Sequence, residues 1–125
     1  RDSVKMRMLS DVPLGVFLSG GIDSSLIAYM AQNLSTDKIK TFSIKFNEQK
    51  FDESIYAKKI ASLIDSDHTT INCNESEGLD LIESMSMYYD EPFADSSAIP
   101  TMLLSKHTRK DVTVAISGDG GDEFF

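Results

Sequence analysis

Two hydrophobic periods alternate along the chain. Val12–Leu18 is a short, nearly continuous apolar run, the pattern of a strand buried on both faces of a parallel sheet. After Ser19-Gly20-Gly21 the period changes, and Leu26, Ile27, Met30, Ala31 and Leu34 fall on one helical stripe. Thr41–Phe46 alternates as a second strand. Asp52 is placed to cap a second helix with the stripe Tyr56, Ile60, Leu63 and Ile64. His68–Cys73, rich in Thr and Ile, reads as a weaker third strand. Leu81, Ile82, Met85, Tyr88 and Tyr89 mark a third helix. Pro100 suits the first turn of a fourth helix running to about Thr108. Val112–Ile116 is a last buried strand. The order β-α-β-α-β-α-α-β predicts a parallel sheet with helices on both faces. Only the termini and the stretch 72–78 read as loose.

In such a sheet, ligands bind beyond the carboxyl ends of the strands. Two unusual segments lie there. In Ser19-Gly20-Gly21-Ile22-Asp23-Ser24-Ser25 the glycines permit a tight turn and a close ligand approach. The turn feeds a helix N-terminus, where free N–H groups favour anions, and three serines add hydroxyls. Asp23 would repel a bare phosphate but suits a phosphate carried with Mg²⁺. A plain strand–helix turn capped by Asp23 explains the same residues without a ligand. The second segment, Ser117-Gly118-Asp119-Gly120-Gly121-Asp122-Glu123, crowds three carboxylates beside three glycines. Such crowding calls for a cation or for solvent. A divalent ion bridging Asp23 and this segment accounts for both, if the two strands are neighbours.

Composition narrows the partners. Twelve Lys and Arg against 20 Asp and Glu give a net charge of -8 over 125 residues, which argues against general nucleic-acid or anionic-membrane binding. No apolar run is long enough to span a membrane. The lone cysteine, Cys73, excludes a disulfide within the chain and suits a reducing compartment, here expected to be the cytoplasm. Cys73 reads as a small packing residue and His68 and His107 as isolated histidines rather than metal ligands. The six methionines read as packing residues, and Lys38, Lys40, Lys45 and Lys50 as a solvated surface.

Ser19–Ser25 resembles the SGGxDS signature of the PP-loop, or N-type, ATP pyrophosphatases. With Asp90-Glu91-Pro92-Phe93-Ala94-Asp95-Ser96-Ser97-Ala98-Ile99-Pro100-Thr101 and Ser117–Glu123, the chain resembles the synthetase domain of glutamine-hydrolysing asparagine synthetases over nearly its whole length. The resemblance implies a three-layer α/β/α fold with a parallel Rossmann-like sheet of the adenine nucleotide alpha hydrolase type. It implies ATP and Mg²⁺ as cofactors and a carbon–nitrogen ligase reaction. The aspartate side chain attacks the α-phosphorus, pyrophosphate leaves, and ammonia converts β-aspartyl-AMP to asparagine and AMP.

Carried over residue by residue, the resemblance gives Ser19, Gly20, Gly21, Ser24 and Ser25 to the β- and γ-phosphates. It gives Asp23 and Asp122 to magnesium, Leu18 and Ile44 to the adenosine moiety, and Ser117 and Gly118 to the nucleotide. Asp119 stands where the family carries Glu, with a catalytic role at the acyl centre as its implied function. Asp95, Ser96 and Ser97 are the substrate-side candidates, although Asp95 or Ser97 could equally cap the fourth helix. The familiar synthetases often carry an Arg in this stretch, so relatives that amidate other carboxylates, including sugar carboxylates, stay open. So do an NAD or GMP synthetase, a tRNA-modifying enzyme and a non-catalytic nucleotide-binding module. The expected partners are aspartate and ammonia released from glutamine in a separate domain, with room for a homodimer. The expected organisation is one truncated synthetase domain, 1–125, without the glutaminase domain or the C-terminal part that holds the family's catalytic lysine. Such a fragment is expected to bind nucleotide weakly and not to complete the amidation.

Overall fold

A computed structural model describes residues 2–47, 52–73, 75–91, 95 and 97–119. The elements run α1 (Asp2–Arg7), β1 (Leu14–Phe17), α2 (Ile22–Leu34), β2 (Lys40–Lys45), α3 (Ser54–Leu63), β3 (Asp67–Asn72), α4 (Glu75–Tyr88), α5 (Ala98–Thr108) and β4 (Val114–Ile116). The four strands form one sheet in the order β3-β2-β1-β4, with every neighbouring pair parallel. Gly15 pairs with Lys40 on one side and Ala115 on the other, so β1 is central. The chain moves outward from β1 to β2 and β3, then returns to the opposite side of β1 with β4. That reversal sets β4 beside β1 and brings the loops after both strands to one end of the sheet, where a crevice forms.

The strands place alternate side chains on opposite faces. On one face, Val16 and Leu18 pack with Ala28 and Ala31 of α2, Ala57 and Ala61 of α3, and Val4 of α1. On the other, Phe42, Ile71 and Val112 pack with Leu104 of α5, and Phe17 joins them. α4 is tied to α5 by the Glu77–His107 contact, 3.0 Å. The sheet is thus sandwiched between helical layers, the three-layer α/β/α arrangement expected.

Several sequence expectations shift. α1 was not anticipated; it buries only Val4, too little to show as a stripe. The two outer runs shorten, to 14–17 and 114–116, because Val12, Pro13, Val112 and Thr113 lie before the ladder. The stretch 72–78 is not all loose, since α4 begins at Glu75. The helix stripes hold in part: Ile27, Met30, Ala31 and Leu34, then Ile60 and Ile64, pack against the core. α2 meets the sheet through Ser24, Ala28 and Ala31, and α3 through Ser54, Ala57 and Ala61. Small residues let these helices lie close to the strands, which turns Leu26, Tyr56 and Leu63 (81% exposed) to the outside. Ile82 and Tyr88 are likewise exposed, as are Met6 and Met87, whereas Met8 and Met30 pack against the core. Asp52 does accept a hydrogen bond from the Ser54 N–H, 3.0 Å. Hydrogen bonding with Ser54, through its side chain first and its backbone second, holds the Asp52 carboxyl below its usual range. Lys38 pairs with Asp65 on the surface, 2.5 Å. Cys73 is half-buried, its N–H bonded to the Lys45 carbonyl. No helix among the described residues is long and apolar enough to cross a membrane.

Candidate active site

The loop after β1 is built by glycine geometry and serine hydrogen bonds. Gly20 has φ +91, a left-handed conformation. A Cβ there would lie 2.6 Å from the Tyr56 Cβ and 2.7 Å from the Ala57 nitrogen, so the loop is pressed onto the start of α3. The Ser24 hydroxyl lies 2.9 Å from the Ser19 hydroxyl and 3.3 Å from both the Ser19 nitrogen and the Gly21 carbonyl. The Ser19 hydroxyl in turn accepts from the Gly21 N–H at 3.2 Å. These bonds curl the loop over the first turn of α2. Gly21 occupies the cap position with no side-chain capping bond. The leading N–H groups of α2 therefore have no side-chain acceptor from the cap.

The loop after β4 meets the same turn. A Cβ on Gly118 would come within 2.9 Å of the Ser24 nitrogen and 3.2 Å of its Cα. Between the two loops and α5 lies a cleft of about 760 Å³. This is within the range of about 300–1,000 Å³ usual for small-molecule sites.

Leu18, Ser19, Gly21, Asp23, Ser24, Ile44, Asp95, Ser97, Ser117, Gly118 and Asp119 all line this one cleft. Residues predicted from four separated segments are thus brought together. Gly20 and Ser25 do not line it. Gly20 acts from behind, through the turn, and the Ser25 hydroxyl is buried with no hydrogen-bond partner. Ser96 and Asp122 lie outside the described residues. Asp95 accepts the Ser97 N–H at 2.8 Å, and that bond holds its carboxyl below the usual range. It therefore supports the start of α5 while also facing the cleft.

The cleft also contains residues that sequence reasoning passed over: Ser43, Phe46, Glu53, Tyr89 and Thr101. They come from β2 and the residue after it, the start of α3, the end of α4 and the first turn of α5, where Thr101 closes the Asp90–Thr101 stretch without having been given a role. Only the polar alternation of Thr41 and Ser43 beside His68 and Thr70 could have drawn attention to one of them. Four carboxylates (Asp23, Glu53, Asp95 and Asp119) line the cleft, and no Lys, Arg or His does among the described residues. No group of three or more His, Cys, Asp or Glu side chains among the described residues is arranged to hold a metal on its own.

The architecture defines a three-layer α/β protein with an all-parallel sheet, and solved structures share it. The NH3-dependent NAD synthetase from Campylobacter jejuni superposes with a TM-score of 0.64 at 15% identity, covering 98% of this chain and 55% of that one. NMN synthetase from Francisella tularensis gives 0.62 at 17% identity, covering 98% and 51%. The Asparagine synthase family model matches residues 1–125, and the chain belongs to that family. It is 47% identical to a putative glutamine-hydrolyzing asparagine synthetase 2 of Methanocaldococcus jannaschii, over 99% of this chain and 24% of the relative. Identity to the glutamine-hydrolyzing asparagine synthetase 1 of Bacillus subtilis is 41%, over 99% of this chain and 20% of the relative. The chain thus spans a quarter or less of the length of these relatives.

Proposed function

We propose that this chain supplies the nucleotide-binding half of an ATP-dependent amidation that converts aspartate to asparagine through β-aspartyl-AMP. The observation that carries the reading is the approach of Gly118 to Ser24, which joins two loops of the family pattern into one cleft. In this reading Ser19, Gly21 and Ser24, with the leading N–H groups of α2, receive the β- and γ-phosphates. Gly20 supplies the turn, and the Ser25 hydroxyl lies behind the cleft. Leu18 and Ile44 flank the adenosine, and Ser117 and Gly118 close over the nucleotide.

The donor set fits magnesium. The four carboxylates, with no basic side chain among the described lining residues, would repel a bare polyphosphate, and the N–H groups accept one whose charge a divalent cation offsets. Asp23, with Asp122, would hold Mg²⁺, which when bound stabilises charge on the leaving pyrophosphate. The chain's own contribution is position and dipole. The uncapped end of α2 aims N–H groups at the leaving group. The start of α5 brings Asp95 and Ser97 to the carboxylate substrate, and Asp119 faces the acyl centre. The aspartate carboxylate oxygen then attacks the α-phosphorus as the pyrophosphate bond breaks. Ammonia next forms the amide bond and AMP departs.

Calorimetric titration with Mg-ATP tests the nucleotide half, and saturable binding is expected. Pyrophosphate release by a full-length protein carrying this chain tests the substrate. Release that requires aspartate, with asparagine formed, supports amidation of aspartate. Release with a sugar carboxylate instead would move the substrate and keep the nucleotide site. Absence of Mg-ATP binding overturns the proposal.

A further inference from the structure

On the face of the sheet covered by α3, β2 and β3 carry a row of polar side chains. Thr41 is fully buried and Ser43 is 2% exposed. His68 sits between them. Its Nδ1 is 2.9 Å from the Thr41 hydroxyl and its Nε2 is 3.1 Å from the Ser43 hydroxyl. Thr41 is also 2.9 Å from the Ser66 hydroxyl, which donates to the Ala61 carbonyl of α3 at 3.4 Å. Ser43 lines the cleft; His68 does not.

The bond at the end of the row fixes one set of directions. A carbonyl only accepts, so the Ser66–Ala61 bond uses the single Ser66 proton. In that set Thr41 donates to Ser66, and its own oxygen accepts from His68 Nδ1–H. A neutral imidazole with Nδ1 protonated has a bare Nε2. Ser43 lies nearer to that nitrogen, 3.1 Å against 3.4 Å for the Thr70 hydroxyl, and its donation either there or to Thr70 turns its proton inward.

Resting on the nucleotide reading above, the geometry points to His68 as a positioning residue of the cleft. By taking the Ser43 proton inward, it leaves Ser43 facing a bound nucleotide with lone pairs only, as an acceptor for one of the nucleotide's own hydrogen-bond donors. Burial keeps His68 below its ordinary range, and Lys58 on α3 pushes the same way, so the neutral form persists near neutral pH. β2 faces the ring with the hydroxyls of Thr41 and Ser43, and its own strand adds Thr70. Protonation of the ring would reverse the Ser43 bond and turn its O–H outward, replacing an acceptor by a donor.

The test is Mg-ATP affinity of the full chain near neutral pH for wild type, Ser43→Ala, His68→Gln and the double variant, with nitrogen NMR of the His68 ring. Each single variant is expected to weaken binding about three- to tenfold, the worth of one neutral hydrogen bond. The double variant is expected to be no weaker than the weaker single one. The ring is expected in the Nδ1–H form, with Nε2 shifted by Mg-ATP in wild type and unmoved in Ser43→Ala. A merely structural histidine would lower stability without that shift. Inosine triphosphate and the 2′- and 3′-deoxy forms of ATP tell the purine amine from the ribose hydroxyls. The analogue lacking the donor loses affinity in wild type and nothing more in Ser43→Ala. Equal losses in both proteins, additive effects of the two substitutions, or an Nε2–H ring overturns the relay. Ser43→Ala with the NMR readout decides the matter even if His68→Gln fails to fold. Mg-ATP binding with an unresponsive His68 removes the relay alone, whereas no binding by wild type removes the nucleotide reading and the relay together.

Discussion

The backbone of Gly118 lies so close to Ser24 that a single added methyl would meet the Ser24 nitrogen at 2.9 Å. The neighbour is main chain in the first turn of a helix and cannot swing aside. Gly118→Ala must therefore push the loop after β4 away from α2. We expect a loss of about 1–3 kcal/mol, typical of overpacking. Mg-ATP affinity is expected to fall with it. Denaturant unfolding alongside calorimetry checks both, and an alanine variant with unchanged affinity would separate this contact from the site.

Gly20 makes the complementary prediction on the other side of the loop. Its φ of +91 and the 2.6 Å approach to Tyr56 leave no room for a side chain in either conformation or space. Gly20→Ala is expected to cost about 1–3 kcal/mol from backbone strain. Gly21 lies in open surroundings apart from the Ser19 hydroxyl at 3.4 Å, and its φ is -68. Gly21→Ala should be tolerated far better in stability, and the contrast between the two is the measurement.

Asp95 has two duties that one pair of substitutions separates. Its carboxylate accepts the Ser97 N–H, and asparagine can do the same without the charge. Asp95→Asn is expected to keep the melting temperature, while Asp95→Ala lowers it. A full-length protein that loses amidation with Asp95→Asn at unchanged stability would assign the charge to the substrate. Retained amidation would leave Asp95 as a support of α5 alone.

Asp23 faces the cleft without a basic partner among the lining residues. Asp23→Asn is expected to shrink the gain in ATP affinity that magnesium gives, while changing stability within about 0.5 kcal/mol, as partly exposed substitutions do. Titrations with and without magnesium read this directly.

Stability is expected to fall as the pH drops through the histidine range. Burial lowers the folded-state pKa of His68, so the unfolded chain takes up the proton first. Stability from this group is fully present above its unfolded value of about 6.5 and is lost as pH falls through the lower folded value. Glu77, held below its ordinary range by the His107 contact, adds a second loss at more acid pH. Thermal melts across this window should show the first loss flattened in His68→Gln and the second in Glu77→Gln.

The order of strands and helices was legible in the sequence because the hydrophobic period switches cleanly between them. The two glycine-rich segments and the cap at Asp52 were legible because their chemistry is local. The inward faces of α2 and α3 were legible only in part, because Ala28, Ala57 and Ala61 carry little hydrophobic signal beside Leu26, Tyr56 and Leu63. Close packing of a helix on a sheet selects for small size at the contact, and size is judged only against the partner surface.

By itself, then, the amino-acid order determined the α/β class, the loops that bear glycine and serine, and the family pattern. The tertiary structure alone decided that the loops after β1 and β4 share one cleft, since only the return of β4 to the far side of β1 makes them neighbours. It also decided that His68 reaches Ser43. Those residues are separated by a helix in the chain and joined by the parallel register of β2 and β3, which sets Thr41 opposite His68 and Ser43 opposite Thr70. The row itself is a property of the assembled fold, because it runs from a carbonyl on α3 that neither strand contains to hydroxyls on both strands.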